Sequence, residues 1–241
     1  MDKTSILNTI RKVREVSPKR NFKQSFDLII NLQEIDPKKA EGKIDLFLTL
    51  PHNYTTNTKI CALVEEGLQN QAKTLFDKVI LKSEFVNYSD KKALKELVNS
   101  YDFFVTQANL MAQVATTFGK TLGPKGKMPN PKAGCVVPPS ANLEPLKQRL
   151  TKTIHLVTKN EPILKTKIGY EEMSDEQIQE NILSLYNSVI HSLPQEKNNI
   201  KSIILKTTMG PPVKLTDKGP QVKINPDKAK PKDKKVVEQN A

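Results

Sequence analysis

Two patterns of hydrophobic and polar positions alternate along the chain. Residues 4–16 carry apolar side chains at helical spacing, and Pro18 ends that predicted helix. Apolar residues then alternate with other side chains over 26–32 and again over 44–50, which is the period of a half-buried strand. Because these two strands follow one another closely, we expect them to pair with each other as antiparallel neighbours.

The pattern changes after residue 54, where short continuous apolar runs replace the alternation. The runs at 60–64, 79–81 and 103–105 have the length and composition of buried strands. Helical patterns separate and follow these runs, at 66–76, 90–100, 109–118 and 142–151. Strands that alternate with helices in this way predict a parallel sheet with helices on its faces.

The alternating pattern returns after residue 153. Strands are predicted at 154–156 and 163–168. Ser174 and Gln177 have the spacing of a capping box, and an apolar stripe at helical spacing follows them, which predicts a long helix. The last predicted strands lie at 200–205 and 213–215.

These patterns predict an α/β protein with two domains. The first is a discontinuous α+β two-layer domain of split β-α-β type, formed by residues 1–54 and 153–216. The second is an inserted Rossmann-like three-layer α/β/α domain, residues 55–152, so the two chain crossings near 54 and 152 form a hinge. Residues 217–241 are rich in Lys, Asp and Pro and are predicted to be a disordered basic tail.

Composition excludes several classes of function. No apolar stretch approaches the ~18 residues of a membrane-spanning helix, and the N-terminus lacks a secretory signal, so no membrane partner is expected. Cys61 and Cys135 cannot form a disulfide scaffold or a four-thiolate zinc site, and they suit a reducing cytosol. The three histidines are scattered, and no nucleophile motif occurs. We therefore expect no metal, no cofactor and no catalytic residue.

The positive charge is concentrated in the middle of the chain. The sequence has 38 basic and 26 acidic residues, a formal net charge of +12. No acidic residue lies between Asp102 and Glu144, whereas four lysines do. An uncompensated positive field favours a polyanion such as a phosphate backbone. The alternative is a solvated, lysine-rich surface that only favours solubility.

Residues 119–134 combine four glycines, three prolines and four lysines without one acid. Exposed amides, backbone freedom and positive charge suit close approach to phosphates. A nucleotide-binding phosphate loop is the first alternative, but it needs a glycine five residues before Gly119, where Val114 stands. A structural lid over the sheet is the second alternative.

Residues 206–212 form the other segment with binding chemistry. Thr207, Thr208, Met209 and Gly210 follow a strand end and precede two prolines. Threonine hydroxyls can donate to phosphate and ribose oxygens, and glycine permits close backbone approach. The alternative interpretation is a polar turn that leaves a strand and has no ligand.

Together these two segments resemble the large-subunit ribosomal protein one family. The resemblance covers nearly all of residues 4–215. It is most specific at 122–134 (LGPKGKMPNPKAG) and 207–211 (TTMGP), with support from 20–25 (RNFKQS), 35–39 (IDPKK) and 50–52 (LPH). The amino-acid sequence of these segments is most similar to that of an archaeal member.

The resemblance implies a main RNA site in the first domain and a second contact in the glycine-rich loop. Carried over position by position, the main site comprises Phe22, Ser202, Thr207, Thr208, Met209 and Gly210, with Arg20 and Lys23 as neighbouring bases. The second contact comprises Lys120, Gly123, Lys125, Gly126, Lys127 and Lys132. Bacterial members commonly have lysine where this chain has Asn21 and glycine where it has Asn53.

The resemblance also implies partners. It predicts a non-enzymatic, monomeric constituent of the large ribosomal subunit in the cytoplasm, which binds large-subunit ribosomal RNA and forms the mobile side stalk. Exit-site transfer RNA and the protein's own messenger RNA, with repression of its translation, are further expected partners. The alternatives are a ribosome-assembly factor with the same domain and a nucleotide-dependent enzyme built on the middle segment.

Overall fold

The computed structural model of the chain describes residues 2–36, 42, 44–139, 141–158, 160–216 and 219–222. The helices are α1 (Lys3–Val16), α2 (Gln69–Leu75), α3 (Lys91–Ser100), α4 (Met111–Leu122), α5 (Glu144–Lys152) and α6 (Asp175–Ser192). The strands are β1 (Ser25–Leu32), β2 (Asp45–Thr49), β3 (Ile60–Val64), β4 (Lys78–Leu81), β5 (Phe103–Gln107), β6 (Val136–Val137), β7 (Thr153–Val157), β8 (Ile163–Tyr170), β9 (Ile200–Thr207), β10 (Val213–Leu215) and β11 (Gln221–Val222). The predicted α/β class is confirmed.

The largest sheet has five strands in the order β11-β10-β9-β1-β8. β1 is antiparallel to both β8 and β9. β8, α6 and β9 therefore form a β-α-β unit with β1 inserted between its strands, which is the split arrangement expected from the sequence. Side chains alternate strictly between buried and half-buried along β1, as its sequence period predicts.

Within the described residues, helices cover only one face of this sheet. α1 contacts α6, β9 and β10, and α6 contacts β8. The buried core between them includes Ile10 of α1, Leu28 of β1 and Leu185 of α6. Ser174 accepts a hydrogen bond from the backbone of Gln177, so the predicted capping box begins α6. This two-layer arrangement leaves the half-buried side chains of β1 and β9 on the outer face.

The expected pairing of β1 with β2 is wrong. β2 pairs with β7 in a separate two-stranded sheet, with Leu46 opposite Leu156 and Thr49 opposite Thr153. β1 has no free edge for β2, because β8 and β9 occupy both of its sides. Proximity in the sequence therefore predicted the wrong pairing partner for β2, although the apolar alternation correctly predicted a strand there.

The middle segment forms a parallel sheet in the order β4-β3-β5-β6. β3 is buried along its whole length, as the continuous apolar run predicts. One face of the sheet packs on Ala72 of α2 and Leu150 of α5, and the other packs on Val98 of α3 and Phe118 of α4. Helices therefore cover both faces, and the segment has the expected three layers.

Three local features differ from the sequence-based predictions. α4 continues through Leu122, so the first residues of the predicted loop 119–134 are helical. Residues 82–89 form 3-10 turns, and Val136–Val137 adds a short parallel strand beside β5. A two-residue strand carries no recognisable period, which explains why the sequence did not reveal it.

The domain boundaries stay a prediction, which the distribution of buried side chains supports. One core cluster draws its members only from 6–50 and 154–215, and the two others only from 60–150. Gln221 and Val222 pair with Lys214 and Val213, so ordered chain extends beyond the predicted end at 216. The rest of the predicted tail, residues 217–218 and 223–241, lies outside the described residues.

The two chain crossings lie beside each other at one end of the β2–β7 pair. The Leu50 amide donates to the Lys152 carbonyl (2.9 Å), and the Lys152 ammonium donates to the Pro51 carbonyl (3.1 Å). The Tyr54 hydroxyl donates to the Thr153 carbonyl (3.2 Å), and burial raises the pKa of Tyr54 to about 12. The middle segment thus leaves and re-enters the first one at a single place.

We predict that residues 55–152 can be removed without loss of the first core. A shortened chain, in which a short glycine linker joins residue 54 to residue 153, should unfold cooperatively in urea, because its core cluster contains no residue from the deleted segment. Circular dichroism measures the transition. In this background Leu28→Ala should cost about 2–5 kcal/mol, since Leu28 is fully buried. A broad, non-cooperative transition would contradict the prediction.

Candidate nucleic-acid interface

Two large apolar side chains stay exposed at the edge of the five-stranded sheet. Phe22 is 50% exposed and Met209 is 54% exposed, and Val86 is the other large apolar side chain left exposed in the described part of the chain. Phe22 lies in the loop between α1 and β1, and Met209 lies in the turn after β9. Both were predicted as site residues from the sequence.

Pairing between β1 and β9 places these two segments side by side. Phe26 lies opposite Thr207 in the register of the strands. The pairing continues past the strand end, where the Thr208 amide donates to the Ser25 carbonyl (3.0 Å). The turn is therefore an extension of the sheet with a fixed position relative to the Phe22 loop.

The Thr208 side chain faces solvent and is hydrogen-bonded to Ser25. Its hydroxyl oxygen accepts from the Ser25 amide (3.1 Å) and lies 3.0 Å from the Ser25 hydroxyl. A threonine hydroxyl has one donor and two acceptor positions. The Ser25 hydroxyl donates to Asp27 (3.0 Å), and the Thr208 hydroxyl donates to the Ser25 carbonyl (3.4 Å). Because this bond is exposed, a ligand oxygen can replace the Ser25 carbonyl as acceptor.

Thr207 and Gly210 support the turn from inside. Thr207 is buried, and its hydroxyl lies 2.8 Å from that of Ser17 at the end of α1. A methyl group at Gly210 would lie 2.3 Å from the Thr207 hydroxyl oxygen and 2.6 Å from that of Ser17. The turn therefore requires glycine for close packing, and the Thr207 hydroxyl has a protein partner.

Ser202 lies at the opposite end of β9 from the turn. Six residues of extended chain separate it from Thr208, about 20 Å. Its hydroxyl accepts a hydrogen bond from the Asn31 side-chain amide (2.8 Å). The structure does not bring Ser202 next to Met209. It places Ser202 on the sheet's outer face, in the same alternation as Ile204 and Lys206.

The two predicted bases beside Phe22 differ in their environment. Arg20 is exposed, and no salt bridge to it occurs within the described residues. The Lys23 ammonium forms a salt bridge with Glu172 (2.8 Å). The hydrogen bond and the charge of Glu172 raise the pKa of Lys23. Arg20 therefore has an uncompensated charge at this edge.

The predicted second contact lies on the other sheet, at the end of α4 and in the loop that follows. Lys120 is exposed on the last turn of α4, and Gly123 caps that helix. Lys125 and Lys132 are exposed in the loop, and Gly126 has a positive φ of 67°. Three lysine side chains of this group are thus accessible to a large ligand.

Lys127 differs from Lys125, which donates to the Asn99 side chain at the surface, because its partly buried ammonium donates to two backbone carbonyls. Its ammonium donates to the carbonyls of Val98 (2.9 Å) and Tyr101 (2.7 Å) at the end of α3. A cation at this end of a helix interacts favourably with the helix dipole. Burial lowers the pKa of Lys127. Lys127 therefore anchors the loop to α3.

A cavity of about 250 Å³ is lined by residues of this loop and of the β2–β7 pair. The ring of His155 stacks on Phe47 (centroids 4.1 Å apart) and forms a 2.6 Å hydrogen bond with Asp45. Lys125 and Gly126 line the same cavity, and a methyl group at Gly126 would lie 3.9 Å from the His155 ring. The aromatic pair is thus a firm surface next to the loop.

The described residues give no sign of reactive chemistry. Burial raises the pKa of Cys61 to about 12 and that of Cys135 to about 11, so neither thiol is activated. No group of three or more potential metal ligands occurs in the described part of the chain. Within the same residues, no helix is long and apolar enough to cross a bilayer.

Sequence reasoning missed the residues that hold the turn in place. Ser17, Gln24 and Ser25 each hydrogen-bond the 207–209 segment. The motif at 20–25 contains Gln24 and Ser25, but only the register of β1 with β9 reveals their partners. The sequence could have indicated Ser25 only if the pairing of these two distant strands had been predicted.

An exposed phenylalanine and methionine, an exposed threonine hydroxyl and an uncompensated arginine at one sheet edge are typical of proteins that bind folded RNA. Apolar side chains there can pack on sugar and base surfaces, while hydroxyls and cations reach the backbone.

Comparison with known sequences agrees with this class. The chain belongs to the ribosomal protein L1p/L10e family, whose pattern matches residues 12–211. It is 38% identical to large ribosomal subunit protein uL1 of Methanothermococcus thermolithotrophicus over 216 residues, covering 89% of this chain and 99% of that protein. The corresponding protein of Methanocaldococcus jannaschii is also 38% identical, and that of Pyrococcus abyssi 36%, each match covering 89% of this chain and 96% of the relative.

These matches confirm the resemblance found in the sequence. The relatives are archaeal large-subunit proteins, and the family is one of structural ribosomal proteins with no enzymatic activity. The alternative of a nucleotide-dependent enzyme is thereby set aside. The individual binding residues stay a prediction.

We predict that Lys127→Met destabilises the protein, whereas Lys125→Met has little effect. Removal of the Lys127 ammonium leaves two carbonyls at the end of α3 without their donor. Because the side chain is only partly buried, we expect a loss of about 1–2 kcal/mol in the free energy of unfolding. Exposed Lys125 should change it by less than about 0.5 kcal/mol. Urea denaturation of both variants measures the difference, and equal stabilities would contradict it.

Proposed function

We propose that this chain is a structural constituent of the large ribosomal subunit that binds large-subunit ribosomal RNA through the Phe22–Met209 edge of its five-stranded sheet. Its place of action is the ribosome in the cytoplasm, where it acts as a single copy. Membership of the L1p/L10e family supports the assignment. The observation that carries the site is the juxtaposition of exposed Phe22 and Met209 on two segments that the β1–β9 pairing fixes.

The proposed mechanism of recognition is shape-selective. Phe22 and Met209 pack on sugar and base surfaces of an RNA stem with a loop, and Gly210 permits the close packing of the turn that presents Met209. Thr208 redirects its hydroxyl hydrogen bond from the Ser25 carbonyl to a ribose or phosphate oxygen, and Arg20 contacts a phosphate. Ser202 contacts the same RNA further along the outer face of the sheet. These groups are ordered before RNA arrives, so binding requires little rearrangement.

We also propose the finer roles that the sequence resemblance implies. The bound protein forms the mobile side stalk and contacts exit-site transfer RNA, for which exposed Lys120, Lys125 and Lys132 supply phosphate contacts. It represses its own translation by binding messenger RNA at the Phe22–Met209 edge. A surface that recognises shape and backbone accepts either RNA that offers the same fold.

The first test removes one hydroxyl. Thr208→Val keeps the shape and leaves an RNA oxygen without its donor, so we expect a loss of about 1–3 kcal/mol in binding, roughly 5- to 150-fold in Kd. The free energy of unfolding should fall by at most about 1 kcal/mol, because the partner Ser25 is accessible to water. Filter binding to purified large-subunit ribosomal RNA and thermal melting provide the two measurements.

Thr74→Val is the matched control, since Thr74 is an exposed hydroxyl on α2, remote in sequence from the proposed site. Its Kd should be unchanged. If Thr208→Val binds like the wild type but melts at a lower temperature, the turn supports only the fold.

The second test measures electrostatics. Each neutralised phosphate should contribute about −0.7 to −0.9 to the slope of log K against log salt concentration. With transfer RNA as the ligand, the shortened chain lacks the 119–134 loop and should therefore show a shallower slope than the full chain. Identical slopes would mean that the loop lysines do not contact the RNA. A flat response of the full chain would contradict phosphate binding altogether.

A further inference from the structure

Gln24 is a buried polar side chain that connects the two segments of the proposed site. Its side chain is completely inaccessible to solvent. Its amide nitrogen donates to the Pro18 carbonyl (2.9 Å), and its amide oxygen accepts from the Met209 backbone N–H (3.2 Å). The Gln24 amide thus bonds both to the loop that begins at Pro18 and to Met209, which lies 185 residues after Gln24 in the sequence.

The two hydrogen bonds act on different parts of the site. The bond to Pro18 spans the loop 18–24, so it closes the segment that presents Phe22. The bond to Met209 fixes the backbone of the residue that presents the other exposed apolar side chain. The Gln24 carbonyl also accepts from the Glu171 amide (2.9 Å), which ties the same residue to the chain beyond β8.

We propose that Gln24 is a positioning residue for RNA recognition, which sets the distance between Phe22 and Met209 without contacting RNA itself. The inference rests on the proposed function and goes beyond it, because it assigns the geometry of the site to a side chain that no ligand can reach. A buried amide suits this task, since leaving either of its groups unpaired is costly and both hydrogen bonds are therefore maintained together.

Other side chains cannot perform this role in the same way. Methionine has similar length and volume but neither donates nor accepts strongly. A carboxylate could accept from Met209 but would face the Pro18 carbonyl with negative charge and no proton to donate. Asparagine keeps the amide and is shorter by one methylene group. These differences allow the positioning role to be separated from simple packing.

The test is a double-mutant cycle on binding to large-subunit ribosomal RNA. Gln24→Met should weaken binding by about tenfold, the value of one to two hydrogen bonds. If Gln24 acts through Met209, the factor lost on Met209→Ala should shrink by at least about threefold in the Gln24→Met background. Ser202→Ala, at the far end of β9, should cost the same factor in both backgrounds, within about twofold.

Footprinting of the same complexes gives a readout that a purely structural role would not change. Gln24→Met should lose protection at the nucleotides that Met209→Ala also exposes and keep protection at those that Ser202→Ala exposes. Should Gln24→Met fail to fold, Gln24→Asn takes its place in the cycle. Circular dichroism of each variant confirms that folded protein is compared.

The outcomes are distinct. If the factor for Met209→Ala is equal in both backgrounds, Gln24 contributes only to stability and the inference is wrong. If the wild-type chain itself does not bind the RNA, the proposed function fails and the inference fails with it. A reduced Met209 effect together with an unchanged Ser202 effect establishes the positioning role.

Discussion

The antiparallel pairing of β1 with β9 is the constraint on which the proposed site depends. It aligns Phe26 with Thr207 and extends through the hydrogen bond from Thr208 to Ser25. Without this register, the loop after α1 and the turn after β9 would be unrelated segments nearly two hundred residues apart. β1 is an interior strand because β8 occupies its other side, so neither neighbour can shift without disturbing the whole sheet.

The two sheets use similar polar chemistry for different purposes. At the edge of the first sheet, hydrogen bonds to Gln24, Ser17 and Ser25 hold the turn whose Met209 side chain remains exposed. In the loop beside the second sheet, the Lys127 ammonium donates to a backbone carbonyl at the end of α3, while its neighbour Lys125 remains exposed. A lysine-rich loop is therefore not uniformly a ligand surface, because part of its charge is needed to hold it in place.

Most elements of the fold could be predicted from the sequence, because their periods are long and regular. β1, α6 and the buried strand β3 each show the expected alternation, stripe or continuous run. Strand pairing could not be predicted in the same way. The choice of β7 as the partner of β2 depends on which sheet edges other strands occupy, and this is a property of the whole chain. The strand Val136–Val137 is too short to show a period.

The candidate site was predictable in part, for a related reason. Phe22, Thr208 and Met209 belong to distinctive motifs, and the structure finds them exposed. The burial of Thr207 and the tethering of Lys127 depend on contacts with Ser17 and with the end of α3, which no local pattern encodes. The role of Gln24 depends on partners at both ends of the chain. Motifs therefore indicate which segments matter, whereas packing decides which atoms remain available.

The separation of Ser25 from Thr208 also has a consequence for the order of events during synthesis. The chain is made from its N-terminus, at about 5–20 residues per second, and domains fold as their residues emerge. α1, β1 and the loop with Phe22 are available early, but their partner strand β9 (Ile200–Thr207) is among the last elements to be made. Until then β1 lacks one of its neighbours and Gln24 lacks the Met209 amide. A nascent or prematurely terminated chain that stops before residue 208 therefore has no complete Phe22–Met209 edge.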